Sequence, residues 1–281
     1  MTETSIFALG ALVLAAGEGS RLRPLTDNRP KPLCPVGNVT LLDRTLADLA
    51  QLGLTGPSDV TVNAHYLAPQ IAEAVGDRAE VFTEPQLLGT AGTVAALAGW
   101  VGDRDLVIFN ADAYRSGGPV TPLLEGWDRS RPRLLVTADE RRPDFDGIWR
   151  FAGVSLLPNA WVRTLGAGLP HPASYPGLYE QVWRDAHRTG QLEFTEHIGT
   201  FIDCGTPADY LAANLDALGG ENNLVAPKAQ VTGQATHSVI GEGAIVAGNV
   251  TESVIWPGAH VVANEKLSRV VRTATGLTVA G

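Results

Sequence analysis

The chain has 281 residues, 44% of them hydrophobic, and a formal net charge of −9. That length can bury a full core, one α/β domain with a small addition, and the acidic balance argues against nucleic acid or an anionic membrane surface as partner. No apolar run is long enough to span a bilayer and the N-terminus carries no secretory pattern, so a cytoplasmic protein is expected.

In chain order, the first element is an apolar run, Leu12, Val13, Leu14, Ala15 and Ala16, that reads as a buried strand. It ends in Gly17-Glu18-Gly19-Ser20, where small residues let the backbone approach a ligand and turn its N–H groups toward it. A loop with Arg21, Arg23, Arg29 and Lys31 follows, and Pro24, Pro30, Pro32 and Pro35 keep it from continuing as a helix. From Glu18 to Lys31, four basic and two acidic residues leave a local excess of positive charge in an acidic chain. Such a place suits a small polyanion. A dinucleotide fingerprint is excluded because its glycines open a helix directly, and a P-loop because Gly-Lys-Ser/Thr is absent. What remains is a device for holding several phosphates. Cys34 and Cys204, the only cysteines, have no disulfide or metal-ligand spacing and read as small buried hydrophobes.

Thr40 and Asp43 form a capping box before a helix with Leu42, Leu46, Leu49 and Ala50 on its apolar face. Strands are expected at residues 59–63 and 80–83, with helices at 67–75 and 90–100. Residues 105–110 (DLVIFN) have the near-continuous apolar character of a central strand buried on both faces. Further strands are expected at 133–137 and 148–157 around a polar loop at 141–147, and a helix at 178–188. Residues 192–195 and 200–203 are expected to form a hairpin turning near Gly199. A last helix is expected at 206–218 with Pro207 in its first turn. This alternation predicts βα units around a mostly parallel sheet.

Near Gly219-Gly220-Glu221-Asn222-Asn223 the pattern changes. Val225, Val231, Val239-Ile240, Ile245-Val246, Val254-Ile255 and Val261 recur every five to eight residues between Gly, Ala and Pro. That is the mark of a hexapeptide-repeat parallel β-helix of about three short turns. The expected division is a catalytic domain over residues 1–220 and a β-helix-like appendage over 221–281.

Leu14-Ala15-Ala16-Gly17, Gly19, Arg21-Leu22, Pro24-Leu25-Thr26 and Pro30-Lys31-Pro32-Leu33 together resemble the signature of the sugar-1-phosphate nucleotidylyltransferases. The resemblance implies a Rossmann-like sheet of the nucleotide-diphospho-sugar transferase type, with a left-handed C-terminal β-helix through which copies assemble. It implies attack by a sugar 1-phosphate on the α-phosphorus of a nucleoside triphosphate, with Mg²⁺ as cofactor and pyrophosphate as leaving group. Carried over residue by residue, Arg21 and Lys31 become the catalytic cations. Leu14, Ala15, Ala16, Gly17, Glu18, Gly19 and Ala111 would face the nucleotide. Gly89, Thr90, Ala91 and Gly92 would read the base, in a form closest to mannose-1-phosphate guanylyltransferases, so GTP is favoured.

Asp112, just past the apolar strand at 105–110, and Asp203, in Asp203-Cys204-Gly205-Thr206-Pro207, match the family's metal aspartates. The family's Gly-Asp is here Ala111-Asp112, and its Glu-Lys-Pro is here Glu140-Arg141-Arg142-Pro143, leaving Arg142 as the candidate substitute on the sugar-phosphate side with Gly153. His65 reads as structural. A uridylyl- or thymidylyltransferase acting on a muramate or amino-sugar phosphate is the nearer alternative. A non-catalytic regulatory homologue is the alternative of another class.

Overall fold

A computed structural model of the chain describes residues 8–168 and 177–281. Two compact units emerge. One comprises the residues up to Gly17 with Thr45–Ala111 and Gly117–Gly199, the other Glu18–Arg44, Asp112–Ser116 and Thr200–Gly281. This division by compactness differs from a cut at residue 220, because the signature loop and the C-terminal segment fall in the same unit. No helix among the described residues is long and apolar enough to cross a membrane.

The first unit is built on a seven-stranded sheet. Its spatial order is Glu193–Glu196, Arg133–Ala138, Trp149–Leu157, Asp105–Asn110, Leu9–Leu14, Val60–Ala64 and Glu80–Thr83. Every pairing is parallel except the two made by Trp149–Leu157. Leu9–Leu14 lies in the middle, with Leu12 opposite Thr61 on one side and Ile108 on the other. Its side chains are buried on both faces, which explains why it reads as a continuous apolar run. The strand stops at Leu14 rather than Ala16 because the Ala15 N–H leaves the ladder and donates to Asn63 Oδ1 at 2.6 Å. The expected helix at 90–100 is two short helices, Gly89–Ala96 and Ala98–Val101. Helix Asn159–Gly168, which periodicity did not flag, buries Val162 and Leu165.

The hairpin at 192–203 does not form. Glu193–Glu196 pairs in parallel with Arg133–Ala138 at the sheet edge, where Arg133 and Glu193 form an ion pair at 2.7 Å. Thr200–Asp203 instead pairs antiparallel with Ala113–Ser116 in the second unit. Two nearby short strands of mixed polarity are therefore claimed by partners distant in sequence rather than by each other.

The second unit opens with the signature loop, in which Ser20–Leu22 and Lys31–Leu33 each make a single 3₁₀ turn. The capping box is present: Asp43 N–H donates to Thr40 Oγ1 at 3.0 Å as helix Leu41–Gln51 begins. Thr206 caps helix Pro207–Asp216 in the same way, accepting from Asp209 N–H at 3.2 Å. From Asn223 the chain winds through three sheets of short strands, visited in rotation and paired in parallel until Thr278–Ala280 returns antiparallel to Val270–Arg272. Its repeat is seventeen residues in the last turn, as in Val254 opposite Val271, and fifteen in the earlier turns, as in Val239 opposite Val254 and Val246 opposite Val261. That is about five residues per face, one fewer than the hexapeptide expectation. Ile240, Val246, Val250, Ile255 and Val261 fill the interior of this coil.

Candidate active site

The glycine turn is held by close packing. Gly19 has φ of 62°, and a Cβ there would stand 3.1 Å from both Lys31 Cβ and Thr26 Cγ2. Thr26 Oγ1 donates to Gly19 O at 2.9 Å, closing the turn over the lysine stem. A Cβ on Gly17, in contrast, would meet nothing within 4 Å, so this stretch of backbone is open to a ligand. Glycine is required at Gly19 by conformation and contact together.

Lys31 is the centre of the second unit's charged cluster. Pro30 and Pro32 fix its backbone, the stem is buried, and its side chain is only 5% exposed. Nζ donates to Asp112 Oδ2 at 3.0 Å and to Asp203 Oδ1 at 3.2 Å. Arg21 donates to the other oxygen of Asp203 at 3.4 Å, and its guanidinium lies against Gly205, where a Cβ would come within 2.9 Å. The two carboxylates meet because Thr200–Asp203 runs antiparallel to Ala113–Ser116, which sets Asp203 opposite Ala113 and next to Asp112.

Electrostatics follow from this geometry. Burial disfavours the Lys31 ammonium, but Asp112 and Asp203 outweigh it and hold its pKa above the ordinary lysine value. Burial likewise works against the Asp203 carboxylate, yet Lys31 and then Arg21 hold it below the usual aspartate value. Cys34 and Cys204 are free and buried, and burial pushes both thiols up to about 12. They are small core residues.

Asp112 and Asp203 already share one cation and remain partly exposed, at 44% and 28%. Their donor set is carboxylate oxygen only, which is what a hard divalent cation takes. Among the described residues no group of three or more His, Cys, Asp or Glu gathers to cage a metal, so protein ligands would number two. The residues present fit a cation that completes its shell with phosphate and water.

The first unit carries the other expected residues. Ala111 N–H donates to Leu14 O at 3.1 Å, extending the central pairing. Gly89–Ala96 begins at the expected Gly-Thr-Ala-Gly, but Thr90 Oγ1 accepts from Leu178 N–H at 2.8 Å and so is engaged within the protein. Gly153 has φ of 79° where Trp149–Leu157 bulges against Arg133–Ala138, which accounts for a glycine there. Arg142 is exposed, in a turn whose N–H groups at Arg141 and Arg142 donate to Asp139 Oδ1. His65 Nδ1 is 2.9 Å from Glu84 O, a structural contact. Unanticipated is a buried polar set, Asn63, Glu84 and Thr93. Its signal in the sequence is a polar residue closing the apolar strand Val60–Ala64.

Residues 10–137 match the nucleotidyl transferase family. An N-acetylmuramate alpha-1-phosphate uridylyltransferase from Neisseria meningitidis is 28% identical over 229 residues, covering 70% of this chain and 93% of the relative. A mannose-1-phosphate guanyltransferase from Aspergillus fumigatus is 32% identical over 257 residues, covering 78% and 68%. A solved Bacillus anthracis structure, assigned to glucose-1-phosphate thymidylyltransferase and holding sucrose, superposes with a TM-score of 0.66. It is 19% identical and covers 75% of this chain and 95% of its own, a likeness of fold. The signature, the sheet topology and these relatives agree, and the chain belongs to the nucleotidyl transferase family, among the sugar-1-phosphate nucleotidylyltransferases.

Proposed function

We propose that the chain transfers a nucleotidyl group from a nucleoside triphosphate to a sugar 1-phosphate, with GTP as donor and mannose 1-phosphate or a close relative as acceptor. The observation that carries the reaction class is the Lys31 ammonium held between Asp112 and Asp203 beside Arg21. The nucleophile, a phosphate oxygen, is ionised at neutral pH, so the protein needs no general base. The obstacle is repulsion between two polyanions. A single charge pair about 5 Å apart at an effective dielectric of about 20 interacts by roughly 3 kcal/mol, and several such pairs meet.

Fixed positive charge answers that obstacle. Lys31, its direction set by packing, serves the phosphates at the reacting centre, and Arg21 the leaving end. Asp112 and Asp203 would hold Mg²⁺, which when bound supplies further positive charge to the phosphate oxygens. Asp112→Asn and Asp203→Asn are each expected to lower kcat by about a hundredfold or more in a folded protein, measured as pyrophosphate release. A variant with near wild-type turnover at ordinary Mg²⁺ would remove the cation from these residues. A regulatory, non-catalytic role is disfavoured because it needs neither carboxylate.

The GTP assignment rests on Gly89-Thr90-Ala91-Gly92, whose small residues admit a purine and whose backbone can meet both edges of guanine. Each unmatched buried polar group is penalised by about 1–3 kcal/mol, so GTP is expected to exceed ATP in kcat/KM by about a hundredfold. The Neisseria relative, matched along 93% of its length, favours a second reading, UTP with a muramate phosphate. Comparing kcat/KM for GTP, UTP, dTTP, CTP and ATP separates the two. A UTP optimum overturns the guanylyl assignment alone. We further assign self-association to the C-terminal coil, a left-handed turn by its resemblance, because Val225, Val231 and Val262 are exposed on it. We place the protein in the cytoplasm, where nucleoside triphosphates are held.

A further inference from the structure

Glu84 carries a carboxylate that this scheme leaves unused. It follows strand Glu80–Thr83 and is 2% exposed. Oε1 accepts from Asn63 Nδ2 at 2.8 Å and from Thr93 Oγ1 at 2.5 Å, and Oε2 accepts from Leu88 N–H at 3.0 Å. These partners are all neutral. A carboxylate desolvated this far is costly unless its oxygens stay filled, so the arrangement holds the three donors in place.

Asn63 carries the network onward, because its Oδ1 accepts from Ala15 N–H at 2.6 Å. At one end lies Ala15, where the central strand opens into the glycine turn. At the other lies Leu88, the residue directly before Gly89-Thr90-Ala91-Gly92. Thr93, on the first turns of that helix, also reaches Gly89 O at 3.0 Å. One buried side chain therefore ties together both backbone segments assigned to the nucleotide in this unit.

We propose that Glu84 is a positioning residue for nucleotide selectivity. It fixes the turn at 88–92 and, through Asn63, the Ala15 amide in a single mutual geometry, so that the base meets one set of donors and acceptors. This rests on the nucleotidyl-transfer reading. Both carboxylate oxygens are needed: a glutamine has one oxygen, and its amide nitrogen must face either Leu88 N–H or the Asn63 and Thr93 donors. Glu84→Gln thus keeps the volume and breaks one arm.

The test is steady-state kinetics with the five triphosphates, with thermal unfolding as a check on folding. Glu84→Gln is expected to raise KM for the preferred triphosphate about tenfold or more, and to narrow its kcat/KM advantage over the next by a similar factor. KM for the sugar phosphate should stay within about twofold, a split that general destabilisation does not produce. Thr93→Val removes one donor and keeps the shape. It is expected to move the same two quantities by a smaller factor, and it decides the matter if Glu84→Gln does not fold. Unchanged nucleotide KM and selectivity in a folded variant, or an equal rise in KM for both substrates, would overturn the proposal while wild-type turnover leaves the reaction class standing. A wild-type protein that forms no sugar nucleotide from any pair would overturn the underlying reading as well.

Discussion

Lys31→Ala is expected to reduce kcat/KM by about three orders of magnitude, and Arg23→Ala by less than about threefold. The two cations lie eight positions apart in one loop, but their surroundings differ. Lys31 is 5% exposed and directed at two carboxylates, whereas Arg23 is 48% exposed and pairs with Glu18 and Asp27 at 3.6 Å. Charge that is solvated and mobile stabilises a transition state little, and charge held in place costs no reorganisation when the reaction occurs. Removing Lys31 also leaves Asp112 and Asp203 facing each other, which is expected to cost about 1–3 kcal/mol of stability, less than for a fully buried pair because Asp112 is 44% exposed. A larger loss of activity in Arg23→Ala than in Lys31→Ala would mean that the other part of the loop meets the phosphates.

The pH dependence of stability has a definite sign at this cluster. Lys31 has a raised pKa, so its contribution is complete below the ordinary lysine value of 10.5 and is lost as pH rises through the higher folded value. Asp203 has a lowered pKa, so its contribution is complete above the ordinary aspartate value of 3.8 and is lost as pH falls through the lower folded value. Lys31→Ala should therefore remove stabilisation evenly between those limits. Urea unfolding of both proteins across that range checks this.

Truncation after Gly220 is expected to abolish activity, not merely to alter assembly. Leu22, Leu25, Val36 and Leu41 of the signature segment share one buried cluster with Val239, Val254, Trp256 and Val271 of the coil. Polar contacts reinforce it. The Trp256 indole N–H donates to the Tyr210 hydroxyl at 3.1 Å, and that hydroxyl donates to the Pro35 carbonyl. The Arg29 guanidinium lies 4.8 Å from the Trp256 ring centroid. The coil is thus part of the support for the loop that carries Lys31. Its loss would expose these apolar side chains at about 25 cal/mol for each Å² and release the loop. Trp256→Phe, a milder change, is expected to lower stability by about 1–3 kcal/mol. A soluble truncated chain with wild-type kcat/KM would contradict this reading.

The sequence showed the site's charges more clearly than their support. Lys31 was legible because prolines flank it, and Asp112 because it follows a strand whose apolar run is unmistakable. Asp203 was legible by resemblance, but not the strand that places it: Ala113–Ser116 is four residues of mixed polarity with no period. The same gap produced the hairpin expectation at 192–203, since short runs look like each other's partners when the true partners lie far away in sequence. Glu84 and Asn63 were hidden for a related reason. Hydrogen bonds between elements leave no periodic trace. The coil's repeat was visible, while its packing against the signature loop depends on Trp256, the one tryptophan of the coil, whose partners Tyr210 and Arg29 no sequence spacing indicates.

The most direct test of the central claim follows the phosphorus. Wild-type protein is incubated with GTP and mannose 1-phosphate in Mg²⁺, once with label in the α-phosphate and once with label in the γ-phosphate. Nucleotidyl transfer predicts α-label in the sugar nucleotide and γ-label in pyrophosphate, with a stoichiometry of one to one and with both products formed about a hundredfold or more slowly in Asp112→Asn. Label from the α-position in free GMP, or from the γ-position in the sugar phosphate, would contradict the account.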